Sequence, residues 1–355
     1  VKGSENALEN SSNEYYDGTK VLSLKDINGD TPEIIIVTTN RTGGKTTFFN
    51  RLAVNNFVKK KAQFAVLYRF VYELDDCANK FFKDIGNLFF PNHKMTSKKR
   101  AKGMYHELYF DEHLCGFAIA LNSADNIKKY SHIFNNVELI LFDEFQSETN
   151  KYCDNEINKF RSIHTSIARG NGKMVRYVRT ILIGNPISII NPYYVALGIS
   201  SRLNKNVKFL RGNGYVLEQG YNINASNAQK NSAFNRAFSG DTYDDYLAEG
   251  VYLNDNLAFV DKIQGNSRYI CTLRYDGQDF GVREFAEQGI IYCDDRPDKT
   301  FLNRISVTTE DHQINYVMLR SNDIFIMKMR YLFEHGCFRF KNLRCKEAVL
   351  GALSY

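Results

Sequence analysis

Apolar runs of two lengths alternate along the first two hundred residues. Residues 33–39 ("EIIIVTT") are a continuous β-branched run followed by glycines. A helical pattern then extends from about Lys45 to Lys60, with Phe48, Leu52, Ala53 and Phe57 on one side. "QFAVLYRF" (63–70) reads as a second buried strand, "VELILF" (137–142) as a third and "RYVRTILIG" (176–184) as a fourth, which Asn185-Pro186 closes. A helix over 155–169 places Ile157, Phe160, Ile163 and Ile167 together. Residues 104–121 read as a hairpin, and the polar, basic "NHKMTSKKRAKG" (92–103) as a loop that interrupts the pattern. Strands that are apolar throughout and alternate with helices predict a largely parallel sheet in an α/β domain over about 30–205.

The grammar changes after that. Residues 206–250 are rich in Gly, Asn, Ser and Asp and read as a linker or lid subdomain, partly helical near 228–248. From 251 onward "NLAFVDKI", "SRYICTLRY", "FGVREF" and "GIIYCDD" read as strands joined by short turns. Tyr269, Cys271, Leu273 and Tyr275 fall on one face, and helices follow at about 322–335 and 343–353. This predicts a second, α+β domain over 251–355. Residues 1–29 are polar and mildly acidic and read as a mobile tail without a signal peptide.

Composition adds limits. The chain has 355 residues, 43% apolar and 24% charged, and no apolar run approaches the ~20 residues of a membrane span. The net charge of +6 lies wholly in residues 1–250, because residues 251–355 carry 14 Lys+Arg and 14 Asp+Glu. Seven scattered cysteines with no CxxC spacing argue against a disulfide framework or zinc site and for a reducing cytoplasm.

The chemistry concentrates at strand ends. Asn40-Arg41-Thr42-Gly43-Gly44-Lys45-Thr46-Thr47 joins the first strand to its helix. It matches G-x-x-x-x-G-K-[ST] at Gly44, Lys45 and Thr46, with Thr39 where the pattern has its first glycine. Backbone N–H groups at a helix start suit phosphate, Lys45 can reach the β- and γ-phosphates, and the Thr46 hydroxyl can ligate Mg²⁺. A Cβ at position 39 costs about 1 kcal/mol if φ is positive there, and nothing otherwise. Asp143 and Glu144 leave an apolar strand at its carboxyl end, where open α/β sheets bind ligands. Asp143 suits the metal shell and Glu144 the polarisation of a water. An adjacent glutamate favours an ATPase with an extra strand between loop and acid; no N-K-x-D guanine-reading motif is present. Asn185 can sense the γ-phosphate. Arg169, before "GNGK", can act as a finger in a neighbouring subunit's site, with Arg176 and Arg179 as competitors.

With these residues in view, the chain resembles the DNA packaging ATPases of small short-tailed, protein-primed (Salasvirus-type) bacteriophages. The residues that carry the resemblance are residues 40–46, "QFAVLYR", "NNVELILFDEF", "IARGNGKMVR", "GNPISIINPYY", "YDGQDFGV", "GIIYCDD", "ISVTTED" and "GCFRF". It implies a P-loop ATPase with ATP and Mg²⁺, working as a homopentameric ring on a portal in the host cytoplasm. The ring would drive double-stranded DNA into a procapsid, with an RNA adaptor as an open option. It implies phosphate-loop roles for Lys45 and Thr46, metal and water roles for Asp143 and Glu144, and trans-acting roles for Arg169 and for Lys129 (or its neighbour Lys128). The C-terminal domain would be RNase H-like without nuclease activity, with Asp276, Asp294 and Asp295 as the nearest acids. Lys98, Lys99, Arg100, Lys102 and Lys151 are the candidate DNA contacts. Lys328, Arg330, Arg339, Lys341, Arg344 and Lys346 are the candidates for an RNA, DNA or portal contact. An active packaging nuclease and a non-translocating nucleotide-binding assembly factor are the alternative functions.

Overall fold

The computed structural model describes residues 15–354 apart from 150, 171, 173, 189–190, 200–201, 204–207, 222, 233–258 and 319–322. Contacts divide the chain into two units. One comprises residues 1–187 and 204–253, the other residues 188–203 and 254–355.

The first unit is built on a nine-stranded sheet. In chain order its strands are β1 (Ile34–Thr38), β2 (Gln63–Tyr68), β3 (Met95–Arg100), β4 (Tyr105–Phe110), β5 (His113–Ala120), β6 (Val137–Asp143), β7 (Arg179–Gly184), β8 (Phe209–Gly212) and β9 (Tyr215–Gln219). Their spatial order is β3-β4-β5-β2-β6-β7-β1-β9-β8. The six strands from β5 to β9 are mutually parallel, and antiparallel β4, β3 and β8 extend the edges. The central strands are apolar along their whole length because helices cover the sheet. The helix Lys45–Lys60 buries Phe49, Ala53 and Phe57 at four-residue spacing against Val37, Val66 and Ile183. Strand β7 lies between β1, which leads to the phosphate loop, and β6, which ends in Asp143. This is the extra strand that the adjacent glutamate suggested.

Three expectations change in this unit. The basic stretch 92–103 is not all loop. Lys98, Lys99 and Arg100 lie on edge strand β3, held by its ladder to β4 rather than by any apolar pattern of its own. The predicted linker opens with β8 and β9, which join the main sheet beside β1; the helical expectation for 228–248 lies mostly outside the described residues. The described part of the predicted tail, from Tyr15, packs onto this unit. The Tyr16 ring packs against Phe48 and Phe49, its N–H donates to the Gly43 carbonyl at 2.7 Å, and Val21 is fully buried.

The second unit holds a five-stranded sheet in the order β13-β10-β11-β12-β14. Strands β10 (Arg268–Tyr275), β11 (Gln278–Phe285) and β12 (Ile290–Asp294) form an antiparallel meander. Strands β13 (Arg304–Ser306) and β14 (Phe338–Phe340) add in parallel at its two sides. Helices Ile324–Glu334 and Leu343–Ser354 press Ile326, Met329, Ala348 and Val349 onto Cys271, Leu273 and Val282. A bulge between Tyr269 and Cys271 breaks the expected alternation. Ile270 packs against the core, while Tyr269 turns to the other face and bonds Thr272. Of the strand expected over 256–263, the described residues retain one bridge, Val260 to Phe340. Residues 188–203, expected in the first domain, group with this second unit.

Candidate nucleotide site

The phosphate loop starts the helix Lys45–Lys60, so the first N–H groups of that helix point into the loop and suit an anion. Thr39 does not have a positive φ. The left-handed positions of the loop are Thr42, at φ 61°, and Gly44, at φ 89°. The missing first glycine therefore carries no backbone penalty, and Thr42 takes the strained turn instead. Thr39 is buried. Its hydroxyl donates to the Asn40 carbonyl at 3.0 Å, and its methyl occupies the space that a Cβ on Gly220 would need.

Five predicted residues converge at the carboxyl ends of β1, β6 and β7. Lys45, only 7% exposed, donates to Asn185 Oδ1 at 2.6 Å. Thr46 lies beside Asp143 and pulls its carboxyl down, and Asp143 Oδ1 accepts the Glu144 N–H at 2.9 Å. Burial pulls the Lys45 ammonium down to about 8, with Asp143 pulling it back up. Burial pushes the Asp143 carboxyl above its ordinary value, against the pull of Lys45. A divalent cation between Thr46 and Asp143 would relieve that half-buried carboxylate. The donor set, a hydroxyl and a carboxylate oxygen, suits Mg²⁺. Glu144 is exposed and held at φ 54°, a strained conformation for a residue with a side chain.

Sequence reasoning missed the group that supports Glu144. Arg69, just past the end of β2, is buried and makes a two-point pair with Glu156, Nε to Oε2 at 2.8 Å and Nη2 to Oε1 at 3.0 Å. The same guanidinium donates to the backbone carbonyls of Glu144 (3.3 Å) and Phe145 (2.9 Å). Its signal was available, since an arginine directly after "QFAVLY" sits at the same sheet edge as Asp143. Arg41, Arg69, Glu144 and Asn185 line one cleft of ≈ 260 Å³, with the stacked rings of Phe70 and Tyr72 on its rim. Arg41 is paired with Glu148 across it.

Arg169 and Lys129 are elsewhere. Strand β6 leaves the cleft through the loop 144–155, and the helix Glu156–Ile167 carries the chain back to the amino ends of the strands, where Arg169 follows. Lys129 lies on the 3-10 turn Lys128–Phe134 that leads into β6, and Gly170 packs against Asn135 there. The seven residues of β6 separate this end from the cleft by about 20 Å. Lys128 is paired with Asp125 at 3.1 Å, whereas Lys129 and Arg169 are exposed with no partner among the described residues. Arg176 does not compete with Arg169. Its guanidinium is spent on the carbonyls of Ile167 (2.6 Å), Val137 (3.2 Å) and Phe134 (3.3 Å). Arg179 donates to the Tyr177 hydroxyl.

The basic candidates do not gather. Lys99 is paired with Asp75 and Arg100 with Glu107, leaving Lys98 and Lys102 exposed at the sheet edge, and Lys151 lines the central cleft instead. In the second unit Arg330 caps the Leu353 carbonyl, and Arg339 bonds the Gly336 and Phe338 carbonyls. Lys341 pairs with Asp295 and Arg344 with Asp276, and Lys346 is buried. Only Lys328 of that set is exposed without a partner among the described residues. Asp294, the third acid, pairs with Arg283 at 3.0 Å, and no cluster of three or more potential metal ligands occurs among the described residues.

The sequence profile of the Podovirus DNA encapsidation protein (Gp16) matches residues 11–352. The chain belongs to that family. It is 26% identical over 332 residues to the DNA packaging protein of Bacillus phage phi29, covering 92% of this chain and 93% of the relative. The fold is that of the bacteriophage phi29 genome packaging motor assembly (TM-score 0.59, 23% identity, 96% of this chain and 100% of the other). It is likewise that of the phi28 gp11 DNA packaging motor (TM-score 0.63, 16% identity, 97% and 99%). This family member is thus a phage DNA packaging protein, and no described helix is long and apolar enough to cross a membrane.

Proposed function

We propose that this packaging protein hydrolyses ATP with Mg²⁺ and couples the turnover to movement of double-stranded DNA into a procapsid, as one subunit of a ring. The observation that carries this reading is the split of its chemistry between two ends of one sheet. Lys45, Asp143, Glu144 and Asn185 meet at the carboxyl ends, while Arg169 and Lys129, without a partner among the described residues, stand at the amino ends about 20 Å away. An arginine that cannot reach its own cleft suits the cleft of a neighbour, and a head-to-tail contact whose repeated rotation completes a full turn closes a ring.

In this reading Asn40 to Thr47 wrap the phosphates, Lys45 holds the β- and γ-oxygens, and Thr46 with Asp143 holds Mg²⁺. The metal neutralises phosphate charge when bound. Glu144 orients the attacking water and takes its proton, with its backbone fixed by Arg69. Asn185 Oδ1 accepts from Lys45, whose ammonium is placed to exchange that acceptor for a phosphate oxygen. The neighbour's Arg169 and Lys129 add positive charge as the transition state forms. Exposed lysines such as Lys98, Lys102 and Lys151 suit sequence-independent phosphate contacts. The second unit is read as RNase H-like and inactive as a nuclease. Its meander extended by parallel β13, and the pairing of Asp276, Asp294 and Asp295 with Arg344, Arg283 and Lys341, support that reading. Lys328 is then the cation left for an RNA adaptor or a portal.

The test is ATP turnover with and without double-stranded DNA. Glu144→Gln and Arg169→Ala should each lower DNA-stimulated turnover by about 100-fold or more. Mixing the two variants should restore part of it, because a wild-type Glu144 then meets a wild-type Arg169. Turnover indifferent to DNA and to Arg169 would refute the motor. Metal-dependent nicking of the DNA would restore the nuclease alternative.

A further inference from the structure

The loop that carries Arg169 is clamped at its base. The Arg176 N–H donates to the Ala168 carbonyl at 2.8 Å, and the Arg176 guanidinium reaches back to the Ile167 and Arg169 carbonyls. Residues 169 and 175 therefore leave the clamp side by side. What stands beside the arginine is apolar: Met174 is 96% exposed and Val175 74%. A methionine and a valine this exposed, next to a cation without a partner among the described residues, suit a docking partner.

The cleft presents the complement. Exposed Glu144 lines it. The Phe70 and Tyr72 rings line it too and stack at 5.4 Å and 9°, with Tyr72 70% exposed. One surface places a cation beside an apolar pair, and the other places an anion beside an aromatic pair. They lie at opposite ends of one sheet, so a chain cannot satisfy both by itself. A second copy can.

We propose that Met174 and Val175 of one subunit seat on the Phe70–Tyr72 stack of the next, and that this seat sets the position of Arg169 over the neighbour's Glu144. Methionine adapts to an aromatic edge or face, and a tyrosine ring supplies a large contact at little entropic cost. Met174, Val175 and Tyr72 are positioning residues here, acting through Arg169. The inference rests on the reading that sites are shared between subunits.

The experiment uses the full chain with double-stranded DNA and ATP. Met174→Glu with Val175→Glu should lower DNA-stimulated turnover by about 100-fold through misplacement of the arginine. Its thermal midpoint should stay at the wild-type value, because both residues are exposed. Adding Tyr72→Lys to the same chain should restore most of that turnover through opposite charges at every junction. Separately, Val175→Cys with Tyr72→Cys should give a ladder of joined subunits with a short thiol crosslinker, and Val175→Cys alone should not. If Glu144→Gln and Arg169→Ala chains complement each other while the glutamate variant keeps wild-type turnover and no ladder forms, the seat is wrong and site sharing stands. If those chains fail to complement, site sharing is wrong and the seat falls with it.

Discussion

Replacing Glu156 with alanine would strip Arg69 of both carboxylate bonds while leaving its guanidinium buried between β2 and β6. Glu156 itself is 3% exposed and also accepts the Cys153 N–H at 2.7 Å, so a backbone donor is orphaned as well. Breaking a buried pair on one side costs about 4 kcal/mol, because the remaining charge loses its partner in a place water cannot reach. For a unit of this size that is a fall of about 10 °C in the midpoint of its unfolding transition. Differential scanning calorimetry of the full chain would read it. The paired change Arg69→Met with Glu156→Leu removes both charges and should recover most of the loss. Turnover should not recover with it, because nothing then holds the Glu144 and Phe145 carbonyls. A Glu156→Ala loss of less than about 1 kcal/mol, the size of an exposed pair, would refute the reasoning.

Lys45 has its ammonium drawn down to about 8, below its unfolded value, so the folded chain holds this proton less tightly and this group's contribution to stability should rise with pH between about 8 and 10.5. Nucleotide binding requires the charged form. Above pH 8, calorimetric binding heats should therefore change between buffers of different ionisation enthalpy, showing proton uptake, and affinity should fall; identical heats would contradict the burial of Lys45. Gly220→Ala places its Cβ 2.7 Å from the Thr39 methyl and should cost about 1–3 kcal/mol in urea unfolding. Adding Thr39→Ser should return much of it, and strict additivity would sink the contact. Thr42→Gly should stabilise the nucleotide-free chain by up to about 1 kcal/mol by releasing its positive φ, and a loss of stability would show that the Thr42 side chain contributes more than its strain costs.

Much of the first unit was legible because its signals are local. Continuous apolar runs marked β1, β2, β6 and β7, Gly-Gly-Lys-Thr marked the helix start, and Asp143-Glu144 followed its strand directly, so each motif reached the same sheet edge by chain connectivity alone. Edge strands carry no such signal. "MTSKKR" became β3 through hydrogen bonds to β4, and β8 and β9 joined the sheet although their surroundings read as linker.

The sequence by itself determined a Gly-Gly-Lys-Thr turn at a helix start and an acidic strand end, since those features depend on residues adjacent along the chain. Only the tertiary structure decided which charges are free to act. Arg176 is spent on carbonyls at the base of a loop, Arg344 on Asp276, and Lys341 on Asp295, while Arg169 is left open. It also decided that Arg69, 87 positions from Glu156, supports the strained Glu144. A cation's partner is chosen by distance in space and by exclusion of water, and neither is written in the spacing of residues along the chain.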